Sequence, residues 1–283
     1  MAFLKDKKWL AENIENDTVR IIDCRYDLND PKIGRKLYEK SHLPKAAYFD
    51  LKKQLSSTVK EHGGRHPLPD LEAFKKAIEN AGIDRSKKVI AYDAGGMMYA
   101  ARLWWLLKYI GHEEVYILEE GFNGWKEADY PISDEIPNFE TLEYEMNIQE
   151  DMLAKMEEVQ ELVENKENSP VLIDSRSHER YLGEEEPIDR IAGHIPGAMN
   201  KVWEESLKNG SFKSSKEQKE RFAELDLDEP IIVYCGSGVS ATPNYIALKM
   251  AGFKNVKLYA GSYSDWISYE ENEIETKRET ERD

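Results

Sequence analysis

The chain has 283 residues, 40% of them hydrophobic and 33% charged, enough for two domains that each bury a core. Its formal net charge of -16 argues against nucleic acid as a partner, because phosphate binding needs a basic face; a local basic pocket for a small anion remains open. No apolar run approaches the ~20 residues that span a bilayer, so no membrane association is expected.

Taken in chain order, the first residues, Met1 to Lys8, lack an apolar signal core, which predicts no secretion. In the first half, strands are expected near 19–23, 46–50, 88–92 and 115–118, and helices near 7–16, 70–81, 97–110 and 122–128. A linker rich in Pro, Asp, Glu and Asn is expected near Pro131 to Thr141. In the second half, strands are expected near 171–174, 198–201, 230–234 and 256–259, and helices near 152–166, 215–224, 240–251 and 263–269. The tail from Glu273 to Asp283 is almost wholly charged and is expected to fray. Alternating strands and helices imply an α/β fold in which each half is a mainly parallel sheet flanked by helices.

The halves repeat each other in order. Val19-Arg20-Ile21-Ile22-Asp23-Cys24-Arg25 matches Pro170-Val171-Leu172-Ile173-Asp174-Ser175-Arg176, and Ser41-His42-Leu43-Pro44 matches Gly193-His194-Ile195-Pro196. Lys88-Val89-Ile90-Ala91-Tyr92-Asp93 matches Pro230-Ile231-Ile232-Val233-Tyr234-Cys235, and Trp125 matches Trp266. Four matches in register indicate a tandem duplication. The expected domains are 1–135 and 144–283, joined by 136–143.

Cys235 ends an apolar strand-like run and opens Gly236-Ser237-Gly238-Val239-Ser240-Ala241, with a helix to follow. Reactive loops of parallel sheets lie at strand carboxyl ends. Two glycines let the backbone turn and leave room for a reactant. The helix start turns free N–H groups toward the loop, which favours the nucleophilic thiolate. The bland alternative is a small buried cysteine, but such a residue needs no small-residue loop beside it. Cys24, in the first strand, fits that description and is expected to be buried and inert. With only these two cysteines, a disulfide framework is excluded and a reducing cytoplasm is expected. No Cys-x-x-Cys occurs and the six histidines are scattered, so no metal is expected. Nothing resembles a phosphate or dinucleotide loop, and no cofactor is expected. Ser237 either donates toward a substrate or bonds only backbone; Ser240 is expected to cap the helix. His42 and His194 recur in both halves and read as structural. Trp104 and Trp105 fit a packed helix.

The Asp-x-Arg at 174–176, the Gly-His-Ile-Pro-Gly-Ala at 193–198, the Cys235 loop and the late Gly261 and Trp266 together resemble the two-domain rhodanese sulfurtransferases. The loop Cys-Gly-Ser-Gly-Val is most similar to the 3-mercaptopyruvate branch; the thiosulfate branch places basic residues directly after the cysteine, where this chain has Gly236 and Ser237. The resemblance implies that Cys235 takes a sulfane sulfur from a small anionic donor as a persulfide. A thiol acceptor such as thioredoxin, or cyanide, then receives it. Backbone N–H groups from Gly236 to Ala241 would cradle both anionic forms. The first half carries Asp93 at the cysteine position, which implies an inactive copy. The resemblance also implies Arg180 as the ligand of the donor carboxylate. The position of a second such arginine falls on Ile188, with Arg190 two residues on as the candidate; otherwise Arg190 is a surface residue offsetting Glu184 to Glu186. Arg176 is expected to be structural. His66 matches the histidine of a Ser-His-Asp relay, but the aspartate position is Lys52, with Asp50 two residues before, so His66 stands either as a relay member or as a lone polar wall residue.

Three rivals remain. Thiosulfate is the alternative donor. A cysteine phosphatase requires Cys-x5-Arg, and the sixth residue after Cys235 is Ala241. A non-catalytic sulfur carrier needs the same loop.

Overall fold

A computed structural model describes residues 3–165 and 170–276. The first half contains strands β1 (Leu4–Lys5), β2 (Val19–Asp23), β3 (Ala46–Tyr48), β4 (Lys88–Tyr92) and β5 (Val115–Leu118). Its helices are α1 (Lys7–Asn13), α2 (Ile33–Lys40), α3 (Leu71–Asn80), α4 (Met98–Tyr109) and α5 (Gly121–Glu127). The second half contains β6 (Leu153–Ala154), β7 (Val171–Asp174), β8 (Met199–Asn200), a short β9 (Leu207–Lys208) and β10 (Ser211–Phe212), β11 (Ile231–Tyr234) and β12 (Val256–Tyr259). Its helices are α6 (Met156–Glu164), α7 (His178–Leu182), α8 (Ser215–Arg221), α9 (Ala241–Ala251) and α10 (Ser262–Trp266).

Each half builds a five-stranded parallel sheet. The orders are β1-β5-β4-β2-β3 and β6-β12-β11-β7-β8, which are the same order under the repeat. The central strands β4 and β11 are almost wholly buried, as a parallel sheet covered on both faces requires. The helices that follow them, α4 and α9, bury nearly every residue, Trp104 and Trp105 included.

The repeat extends to single hydrogen bonds. Arg25 forks onto Asp23 and donates to the Ser41 carbonyl at 2.6 Å; Arg176 forks onto Asp174 and donates to the Gly193 carbonyl at 2.6 Å. Tyr38 donates to Ala46 and Tyr181 to Ala198, and each tyrosine ring stacks on the histidine, His42 or His194, whose Nδ1 bonds its carbonyl. These histidines and Arg176 hold the fold together, as expected. Removing one partner of the fully buried Asp174–Arg176 pair would strand a charge at a cost of about 3–5 kcal/mol.

The structure departs from the sequence reading at several points. Helix α1 ends at Asn13, and α6 starts only at Met156 because β6 takes the preceding residues. Helices α2 and α7 were not anticipated. The tail is not frayed through its first residues: Glu275 pairs backbone to backbone with His194, and Trp266 donates to the Glu273 carbonyl. Residues 277–283 lie outside the described residues.

The chain forms two compact units. One comprises residues 1–57, 69–150 and 208–212; the other comprises 58–68, 151–207 and 213–283. The first unit runs on to Glu150, and residues 136–150 pack back on it. Phe139 lies under Arg20, Leu142 N–H donates to Glu79, Tyr144 is 2% exposed, and Asn147 and Gln149 donate to the end of α4 and its C-cap. Among the described residues no helix is long and apolar enough to cross a membrane.

Candidate active site

The candidate site lies in the second unit, at the carboxyl end of β11. Cys235 is a free thiol, 1% exposed. Its Sγ accepts the Gly238 N–H at 3.1 Å. Gly238 adopts φ +73°, and a Cβ there would lie 2.1 Å from the Ala260 carbonyl oxygen, so only glycine can aim this N–H at the sulfur. The Cys235 N–H donates to Ser262 Oγ at 3.1 Å, while its carbonyl accepts from Tyr263 N–H at 2.9 Å. Ser262 is itself in the left-handed region, at φ +57°. The position equivalent to it in the first half is Gly121, also at φ +57°.

The first unit shows what this loop type does. Asp93 takes the place of Cys235, and its carboxylate accepts four backbone N–H bonds, from Gly95, Met97, Tyr99 and Ala100, at 2.9 to 3.3 Å. Burial still pushes the Asp93 carboxyl up from its ordinary value, against the pull of those four bonds. The loop after β4 is thus an anion cradle, filled by the chain's own carboxylate.

Ser237 is almost buried, and its hydroxyl lies 2.8 Å from Nδ1 of His66. Of the two readings of each residue, the structure therefore shows Ser237 bonded to a side chain and His66 bonded to Ser237. Asp50 sits in the first unit, where its carboxylate accepts from Lys52 N–H at 2.8 Å and from the Tyr48 hydroxyl at 3.5 Å. Ser240 occupies the N-cap of α9, yet its side chain makes no cap bond, because the residue is already in helical conformation. The expected capping role is corrected on that ground.

Arg180 forks onto Glu186 and also donates to Asp189 at 2.8 Å. Glu186 additionally accepts from Arg176. The guanidinium of Arg190 donates to the Ile267 carbonyl, and Ile188 is 53% exposed. The acidic loop is thus matched by Arg176 and Arg180.

The sequence reading missed Arg65, Asp189 and Ser262. Arg65 pairs with Asp189, whose side chain is 2% exposed. A Cβ placed on Gly236 would lie 2.8 Å from Arg65 Nη2 and 3.3 and 3.5 Å from the two terminal nitrogens of Arg180. The glycine at 236 is required by space for these cations, not by backbone angle. Burial pulls Arg65 below the ordinary arginine range, opposed by the charge at Cys235. The available signal was its place directly before His66. Cys24 is buried as expected, and burial, with Asp23 nearby, pushes its thiol well up.

The comparisons agree with this geometry. The rhodanese-like domain model matches residues 6–128 and again 156–269. A probable 3-mercaptopyruvate sulfurtransferase of Pseudomonas aeruginosa is 35% identical over 265 residues, which cover 92% of this chain and 93% of that protein. Thiosulfate sulfurtransferase of Rattus norvegicus is 30% identical over 276 residues, 93% of this chain and 91% of that one. The crystal structure of SseA from Escherichia coli, a 3-mercaptopyruvate sulfotransferase of rhodanese fold, aligns with a TM-score of 0.82 at 33% identity, covering 93% of this chain and all of that one. With the domain found twice and relatives matched nearly end to end, the chain belongs to the rhodanese family.

Proposed function

We propose that the protein is a sulfurtransferase that moves the sulfur of 3-mercaptopyruvate onto Cys235 and from there to a thiol acceptor such as thioredoxin, or to cyanide. The Cys235 thiolate attacks the donor sulfur. An S–S bond forms, the donor C–S bond breaks, and its electron pair leaves on the enolate carbon, which takes up a proton to become pyruvate. Acceptor thiolate then attacks the outer sulfur and returns Cys235 to thiolate; cyanide in that place leaves as thiocyanate. Both cysteine forms are anions, and the backbone from Gly236 to Ala241, Val239 and Ser240 included, is suited to hold them without rearrangement. Ser237, bonded to His66, is the proposed proton donor to the enolate. Arg180 is the proposed carboxylate ligand, and Arg190 a peripheral one. The proposed domains are an inactive copy, 1–135, and a catalytic copy, 144–283. The two unpaired cysteines are consistent with work in a reducing cytoplasm.

The observation that carries this reading is the Gly238 N–H bonded to Cys235 Sγ, in a loop whose first-unit counterpart holds a carboxylate with four such bonds. Thiosulfate is the second reading, favoured by the rat relative. Turnover with each donor separates them, and clear superiority of thiosulfate would reverse the assignment. Mass spectrometry after donor alone should show one added sulfur on Cys235, and Cys235→Ser should abolish both that mass and turnover. Arg180→Ala should chiefly raise KM, since it removes binding present before chemistry. Labelling without multiple turnover would indicate a carrier instead.

A further inference from the structure

We propose that Arg65 is the second donor-binding cation of the site: with Arg180, and spaced by the buried Asp189, it forms a two-guanidinium clamp for the donor's carboxylate over Gly236. The inference deepens the sulfurtransferase reading and uses only residues of the second unit.

Three observations carry it. First, the two guanidiniums converge: Arg65 Nη2 and both terminal nitrogens of Arg180 surround the point where a Cβ on Gly236, the residue that follows the nucleophile, would lie. Second, Asp189 pins one edge of each, accepting from Arg180 through Oδ2 and pairing with Arg65 through Oδ1. Among the described residues no further bond engages Arg65 Nη2 or Arg180 Nη1. Two donor edges from different side chains therefore face the same place beside the sulfur, an arrangement that suits the two oxygens of a carboxylate. Third, the Arg65 segment is built to be held there. Gly64, at φ +79°, would place a Cβ 2.3 Å from the Gly261 carbonyl oxygen. Gly63 N–H donates to Asp265, Arg65 N–H to Ser264 Oγ, and His62 bonds Ser268 and stacks on Tyr269. Arg65 keeps 30% of its side chain exposed, so a donor from solvent can meet it.

Arg65, Arg176 and Arg180 lie among three carboxylates, Asp174, Glu186 and Asp189, so a donor is held by directed guanidinium edges and not by net charge. The Cys235 loop itself contributes no cation, and Ile188 is aliphatic. Arg65 brings a second guanidinium from a segment more than a hundred residues earlier in the chain.

The test is a pair of alkylating agents of nearly equal size, iodoacetate and iodoacetamide. Each is attacked by the Cys235 sulfur at carbon, forming C–S and releasing iodide. Only the first carries a carboxylate. The ratio of the two rates on the full-length protein thus reads anion recognition without any sulfur donor. Arg65→Gln should lower the iodoacetate-to-iodoacetamide ratio about ten-fold; the ratio cancels any change in the reactivity of the sulfur itself, which also feels the Arg65 charge. Arg65→Lys, which keeps a point charge, should hold a ratio above that of the Gln variant. With 3-mercaptopyruvate, Arg65→Gln should raise KM more than it lowers kcat. A ratio within about two-fold of wild type in the Gln variant, or equal ratios for Lys and Gln, would overturn the proposal. A ratio that falls as expected in a protein that turns over no sulfur donor would keep the clamp and reject the sulfurtransferase reading.

Discussion

At the residue scale, the site sets the Cys235 sulfur against the Gly238 N–H, and the Ser237 hydroxyl against His66. Cys235 was legible because a reactive thiol needs small neighbours, and those stand beside it in sequence. Ser237 and His66 were each legible, but their 2.8 Å contact was not, since 171 positions separate them. The contact yields a prediction. If His66 holds the Ser237 proton in place for delivery to the leaving enolate, each single variant, Ser237→Ala or His66→Ala, should lower kcat by about 10²-fold or more. The double variant should then be scarcely worse than either single, because groups acting as one unit are strongly non-additive. Measured kcat values that multiply would mean independent roles. Cys235 labelling by donor should survive in all three proteins, which separates proton delivery from nucleophilic attack.

At the element scale, four of the five residues of α10 organise the site. Ser262 receives the Cys235 N–H; Tyr263 and Ser264 donate to the carbonyls of Cys235 and Gly236; Ser264 Oγ and Asp265 hold the backbone of Arg65 and Gly63. One short helix thereby fixes both the nucleophile loop and the segment carrying Arg65 and His66. Strands and helices were readable in sequence because burial on both sheet faces produces continuous apolar runs such as Ile231 to Tyr234. Helices α2 and α7 were not, being short and lacking such runs. The docking of 58–68 was invisible for another reason: polar backbone contacts leave no periodic trace. Gly64 exposes this dependence. Gly64→Ala places a side chain on a left-handed backbone and against the Gly261 carbonyl, a strain of about 1–3 kcal/mol. The cheapest relief is displacement of the segment. Because a 1 Å misplacement of positioning groups can cost roughly 10²-fold, kcat/KM should collapse. Far-ultraviolet circular dichroism should stay native, since no sheet strand is touched. Loss of the native spectrum instead would show that the segment is part of the folding core.

At the scale of the whole molecule, the duplication gives two copies of one sheet with one equivalent loop each, and the copies differ at the residue that opens it, Asp93 in the first and Cys235 in the second. The sequence repeat revealed the pairing of Asp93 with Cys235. It did not reveal that residues 58–68 of the first copy join the second unit and 208–212 of the second copy join the first, because self-similarity records ancestry and not contact. Each unit also encloses a histidine that burial holds below its ordinary value: His112 in the first, bonded to Tyr144 and to the Lys87 carbonyl, and His194 in the second, where Glu275 only partly opposes the effect. Both folded pKa values are depressed, so the unfolded chain binds protons first as pH falls. The stability these histidines contribute is complete above the ordinary histidine value of 6.5 and is lost as pH drops below it toward the folded values. Urea midpoints measured between pH 8 and 5 should therefore be flat at first and then decline. His112→Gln and His194→Gln should each flatten part of that decline, even if each lowers the midpoint at pH 8. A decline that persists unchanged in both variants would place the proton uptake on other groups.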